Sequence, residues 1–183
     1  SVRQFGAIDR HRYAFYTIVM NAPNLILIVS EGHHHDCWGG GGNSEIETPY
    51  LDAIARMGVG FNQAAADSLD AHRSRQIVSG VVRPEGGGIE PPIPELLRRA
   101  GYSTACIGAS PGGEGASGDA GFDVVHAVDP SGTEFSDEER SAASIDTQAT
   151  QWVGNQAVRF IKSAPAPFFL CVHFNGPGSV HKA

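Results

Sequence analysis

Glu31-Gly32-His33-His34-His35-Asp36-Cys37 is the densest set of possible ligands in the chain. Imidazole and carboxylate together suit zinc or another transition metal better than calcium. Glu31, His33 and Asp36 are therefore a candidate metal site, one in which metal-bound water would attack an ester. The competing reading is a solvated polar loop, because adjacent residues in an extended loop point in different directions and no separated His or Cys pair has the spacing of a zinc motif. A second group is His72-Arg73-Ser74-Arg75. At a helix start, two guanidiniums and free backbone N–H groups can hold an anion, which makes His72, Arg73 and Arg75 candidate anion binders. A surface turn with solvated charges is the alternative, and Asp67, Asp70 and the net charge of −7 weigh against an anion. Ser68 and Ser74 lie near His72 in sequence, but neither has a Gly-x-Ser-x-Gly elbow or an evident orienting partner. His126, His173 and His181 are isolated, and His173, inside an apolar strand, reads as a hydrogen-bonded core residue.

The elements that must carry these groups alternate between strand and helix. Leu25 to Ser30 is a continuous aliphatic run of the kind buried on both faces of a parallel sheet. Gly39 to Gly42 follow, a run that either loosens the loop or lets backbone approach something closely. Thr48-Pro49 then opens a helix with Leu51, Ile54 and Ala55 as its apolar stripe, ended by Gly58. Pro94 to Gly101 repeats that grammar in a shorter helix, and Ser103 to Gly108 is the next buried strand. Pro111 to Gly121, rich in Gly, Ser and Ala, is a surface loop. From Ile145, the positions Ala149, Trp152, Val153, Ala157, Phe160 and Ile161 keep helical spacing, and Pro165 and Pro167 end that helix. Phe168 to Phe174 is the last strand. The pattern is an α/β fold, a mainly parallel sheet flanked by helices, with its site at the strands' C-terminal ends. Trp152, Phe160, Phe168 and Phe169 belong to the core.

Composition excludes several classes. Of 183 residues, 23 are glycine and 11 proline, short of low-complexity disorder and without a collagen period. Cys37, Cys106 and Cys171 are too few for a disulfide scaffold and sit in or beside apolar stretches, so they read as buried free thiols, with one disulfide and a leftover thiol as the open alternative. The acidic balance, without any Lys/Arg cluster, argues against a nucleic-acid partner. The apolar stretch from Tyr13 to Ser30 is interrupted at Asn21-Ala22-Pro23-Asn24, before either half could span a membrane. Residues 1–22 are set apart as an N-terminal extension and 23–183 as the α/β domain.

Pro23 to Ser30, Asn43 to Phe61, Gly101 to Gly108, and Pro167 to Leu170 continuing through Asn175-Gly176-Pro177 occur in an order that resembles the N-terminal part of the sulfatase family, within the alkaline phosphatase superfamily. The resemblance implies an alkaline-phosphatase-like fold and a sulfuric or phosphoric ester hydrolase. It also implies a divalent cation, usually calcium, a sulfated or phosphorylated small molecule or glycan as ligand, and an exported location. Because the family supplies its second pair of metal ligands beyond the equivalent of Ala183, the resemblance further implies an incomplete sheet that a protein partner could complete. Asp36 matches a family position expected to stabilise its loop.

The family's working residues are replaced here. Its two cation-binding aspartates correspond to Glu31 and Gly32, and a hard cation needs several oxygens. Counting from Phe61 places its cysteine or serine nucleophile at Ala71, with Arg73 for the motif's proline and Arg75 matching its arginine. A one-residue shift would offer the carboxylate of Asp70 instead. The lysine and histidine that follow the Gly-Tyr strand correspond to Ala109 and Pro111, and the last histidine to Gly178. The expectation is a catalytically degenerate domain. Two alternatives stand beside it, a hydrolase rebuilt on Glu31, His33 and Asp36, and an interaction module.

Overall fold

A computed structural model describes residues 22–61, 63–65, 91–108, 121–127 and 145–174, with residues 145–148 described as backbone only. Among these residues four strands, β1 (Leu25–Ser30), β2 (Ser103–Gly108), β3 (Val124–Ala127) and β4 (Phe168–Phe174), form one sheet. Their spatial order is β1-β4-β2-β3 and every pairing is parallel. β2 and β4, the two central strands, are buried almost throughout, as continuous apolar runs between covered faces should be. β1 corrects the expectation of two-sided burial. Among the described strands it lies at an edge, and it alternates, with Leu25 and Leu27 against the core but Ile26 and Ile28 48% and 57% exposed. An aliphatic run favours the extended chain, but the strand order decides how much of it is covered. β3 was not foreseen; four residues with one histidine give little periodicity.

Among the described residues three α-helices accompany the sheet: α1 (Pro49–Met57), α2 (Ile93–Arg99) and α3 (Ile145–Ser163). Alternation along β4 sends Phe168, Leu170 and Val172 to one face and Phe169, Cys171 and His173 to the other. On the first face Val153 and Ala157 of α3 pack with Ala105, Ile107 and those three residues, and Phe160 meets Phe168 edge-on at 5.7 Å. Burying each large apolar side chain contributes roughly 1.5–3 kcal/mol, so α3 is held chiefly by this stripe. On the second face Tyr102, Cys106, Phe122, Phe169 and Cys171 pack with Leu97 and Ala100, and Phe122 stacks on Phe169 at 5.8 Å.

Polar latches fix the strand ends. Asn24 Oδ1 accepts the Phe168 N–H at 3.1 Å, joining the starts of β1 and β4. Thr104, wholly buried, donates its N–H and hydroxyl to Asp123 Oδ2 at 2.9 and 3.1 Å, and its hydroxyl oxygen accepts the Asp123 N–H at 2.9 Å. α1 begins after Thr48 with Pro49 in the first turn, as predicted, but Leu51 and Ile54 remain exposed. They line an open hollow of about 410 Å³ with His33, His34, His35 and Trp38 instead of entering a core. No described helix is long and apolar enough to cross a membrane.

Candidate functional site

The loop after β1 starts at the strands' C-terminal ends, where Glu31 N–H donates to the Phe174 carbonyl at 3.0 Å. Its conformation comes from main-chain and side-chain hydrogen bonds between near neighbours. His33 Nε2 donates to the Cys37 carbonyl at 3.1 Å, and Asn43 Nδ2 to the Asp36 carbonyl at 2.7 Å. The Asn43 side-chain oxygen in turn accepts the N–H groups of Glu45 and Ile46. Gly39–Gly41 forms a short 3-10 turn. Its N–H groups at Gly39 and Gly40 donate to Thr48 Oγ1 (2.9 Å) and Asp52 Oδ1 (2.8 Å). The Thr48 hydroxyl also donates to Asp52 at 3.0 Å. Of the two expectations for the glycine run, close approach is the one observed. A Cβ on Gly40 would stand 2.3 Å from the Trp38 ring, so the indole lies where only glycine admits it.

Asp52 was not singled out from the sequence, yet its carboxylate ties this turn to α1. Asp36, expected to stabilise the loop, contributes through its carbonyl, while its exposed carboxylate accepts a weak thiol contact from Cys37 at 3.8 Å. Glu31, His33 and Cys37 are half-buried, and His34, His35 and Asp36 are exposed. The reading of all three cysteines as buried is thus corrected at Cys37; all three are free thiols.

The second concentration of chemistry lies across the centre of the sheet. Cys106 on β2 is the register partner of Cys171 on β4, and His173 follows two residues later on the same face. All three are fully buried. Cys171 Sγ lies 3.3 Å from His173 Nε2, and the donor atoms of Cys106, Cys171 and His173 are all within 4.8 Å of one another. Gly108 ends β2 at φ +109° with its backbone against the His173 carbonyl. A Cβ there would fall 1.9 Å from that oxygen, so β2 can close on β4 only with glycine at this position. His126, isolated in sequence, packs edge-on against Trp152 at 6.5 Å.

Among the described residues, Cys106, Cys171 and His173 are the group that brings three donors together, and it contains none of Glu31, His33 or Asp36. One signal for it was present in the sequence: Cys171 and His173 share a strand face by their spacing of two. The partnership with Cys106 depends on register, which the sequence does not display. His72, Arg73 and Arg75, with Asp70 and Ala71, lie outside the described residues, as do Ala109, Pro111, Gly178, His181 and the surface loop up to residue 120. The family's calcium finds a poor fit at the end of β1. The two positions offer one carboxylate, Glu31, and a glycine, whereas calcium takes about six to eight oxygens.

A parallel sheet with helices on its faces and its polar loop at the strands' C-terminal ends defines an α/β domain of the alkaline-phosphatase type. The sulfatase family model matches residues 23–182, and the chain belongs to the sulfatase family. An arylsulfatase from Clostridium perfringens is 36% identical over 98 residues, 47% of this chain and 20% of that protein. An N-acetylglucosamine-6-O-sulfatase from Bacteroides thetaiotaomicron is 31% identical over 96 residues, 47% of this chain and 17% of that protein. A solved structure in complex with its substrate D-glucosamine-2-N,6-O-disulfate superposes with a TM-score of 0.66 at 22% identity. That superposition covers 85% of this chain and 34% of the other, so the fold is shared over the part of it that this chain spans. The matches to the two curated relatives extend over about a fifth of their length.

Proposed function

We propose that this chain is a catalytically degenerate sulfatase-family domain, alone or within a larger protein, which recognises a sulfated or phosphorylated small molecule or glycan without turning it over. The observation that carries the reading is the simultaneous replacement of the family's working residues at Gly32, Ala71, Ala109, Pro111 and Gly178. Loss of one electrostatic donor costs roughly 10²–10³ in rate, and here nucleophile, acid and charge clamp are replaced together. Arg75, which keeps the family's arginine, and His72 and Arg73 beside it are the groups that would pair with the anion. The known substrates of two relatives, a 6-O-sulfated N-acetylglucosamine and a disulfated glucosamine, support the ligand class.

The test supplies purified protein with calcium, magnesium, manganese or zinc and with aryl sulfate and aryl phosphate esters, and separately titrates it with D-glucosamine-2-N,6-O-disulfate. The expected result is no turnover above buffer, with saccharide binding weakened at least tenfold in Arg75→Ala. Hydrolysis that disappears in Arg75→Ala overturns the reading.

A second reading is favoured by Ile26 and Ile28, exposed on edge strand β1, whose single strand neighbour among the described residues is β4. An apolar edge is a template for a further strand, so the domain would act by pairing with a second protein chain. Sedimentation velocity tests pairing between copies. Assembly that Ile28→Lys abolishes supports it, and a monomer at all concentrations removes it for self-association.

A further inference from the structure

We infer that Cys106, Cys171 and His173 form a zinc site that staples β2 to β4 at the centre of the sheet. The geometry is close to what the ion requires. Zinc takes sulfur at about 2.3 Å and imidazole nitrogen at about 2.0–2.1 Å, so tetrahedral neighbours stand about 3.5 Å apart. Cys171 Sγ and His173 Nε2 are already 3.3 Å apart, and the third donor requires at most a small inward shift from the 4.8 Å limit of the cluster. The backbone needs no change, because Cys106 and Cys171 are register partners on adjacent strands and His173 projects from the same face as Cys171.

Donor type and burial select the ion. Two thiolates and a neutral imidazole are soft ligands that suit zinc or copper(I) and not calcium or magnesium. All three residues are fully buried, and an uncompensated charge there is costly. Zinc(II) with two thiolates is neutral, whereas copper(I) with the same pair leaves one negative charge. Binding balances as one zinc ion taken up and two thiol protons released to solvent, with no electron transferred. Three protein ligands leave one corner of the tetrahedron for a small ligand such as water. This site is separate from Glu31, His33 and Asp36, and it does not depend on whether the domain hydrolyses esters.

The experiment produces the full chain in medium supplied with zinc or with cobalt, purifies it under a non-chelating reductant and measures metal content and the electronic spectrum. The expected result is about one metal per chain, with an intense thiolate-to-cobalt charge-transfer band in the cobalt form. Cys106→Ser and His173→Gln should each lose most of the metal, whereas His33→Ala/His34→Ala/His35→Ala should keep it together with the band. Should a buried variant fail to fold, thiol titration of the wild-type protein decides. In the same mild denaturant, zinc-loaded protein should expose one reactive thiol, Cys37, and chelated protein three, because Cys106 and Cys171 are buried and the ion would keep them protected when the sheet loosens. Metal-free protein, a cobalt form without the charge-transfer band, retention of copper(I) in place of zinc, or metal that follows the three histidines overturns the inference.

Discussion

Between Glu31 and Cys37 the chain places three histidines, two carboxylates and a cysteine side by side, and none of them is buried. Across β2 and β4 it places two cysteines and a histidine far apart in sequence, and all of them are buried within 4.8 Å of one another. The difference is one of backbone. In the loop, consecutive side chains leave in different directions and the hydrogen bonds that order it are taken largely by carbonyls, Asn43 and Asp52. In the sheet, a period of two and a parallel register repeat the same direction, so distant residues converge. A dense local run of ligands is therefore a weaker guide to a site than two sparse positions that share a sheet face.

Several measurements would break or sharpen that contrast. Gly108→Ala is expected to have the largest effect. It combines a positive φ with a Cβ 1.9 Å from the His173 carbonyl, and strain and overpacking of about 1–3 kcal/mol each predict a loss of roughly 2–6 kcal/mol in urea unfolding. A neutral result would mean that β2 and β4 are not closed as described. Leu170→Ala, at a fully buried position under α3, should cost about 2–5 kcal/mol. Asp123→Ala removes the acceptor for the N–H and hydroxyl of buried Thr104. Thermal denaturation should record a loss of about 1–3 kcal/mol, the penalty for an unmet buried polar group.

In the loop, effects should be smaller and local. Asp52→Ala frees the Gly40 N–H and the Thr48 hydroxyl and should cost about 1 kcal/mol. Limited proteolysis should then cut between residues 39 and 48 faster than in the parent, and an unchanged cleavage pattern would show that Asp52 does not hold the turn. Converting the exposed His34 and His35 together to alanine should change stability by no more than about 0.5 kcal/mol, as for surface positions away from such anchors. A larger drop would mean that the loop resembles the sheet centre more than its exposure indicates.

Much of the fold was legible in the sequence because its signals are local. Aliphatic runs marked β1, β2 and β4, Thr48-Pro49 marked the start of α1, and the apolar spacing from Ala149 to Phe160 marked α3. The same locality explains what was missed. β3 is too short to show a period, and the edge position of β1 depends on which strands lie beside it. The family resemblance was legible from four segments in order, since strand and turn sequences are local signals. Asp52 was not legible as a loop anchor because an acidic residue in the first turn of a helix has an ordinary reading there.

By itself the sequence determined that β1, β2 and β4 become strands and α1, α2 and α3 helices, and it determined the sulfatase kinship, because these are properties of short runs of residues. The tertiary structure alone decided that Ile26 and Ile28 face outward, that Trp38 lies over the glycine turn, and that Cys106 stands opposite Cys171 with His173 beside them. Those facts depend on strand order and register, which arise when remote segments pack together and which no local run of residues encodes.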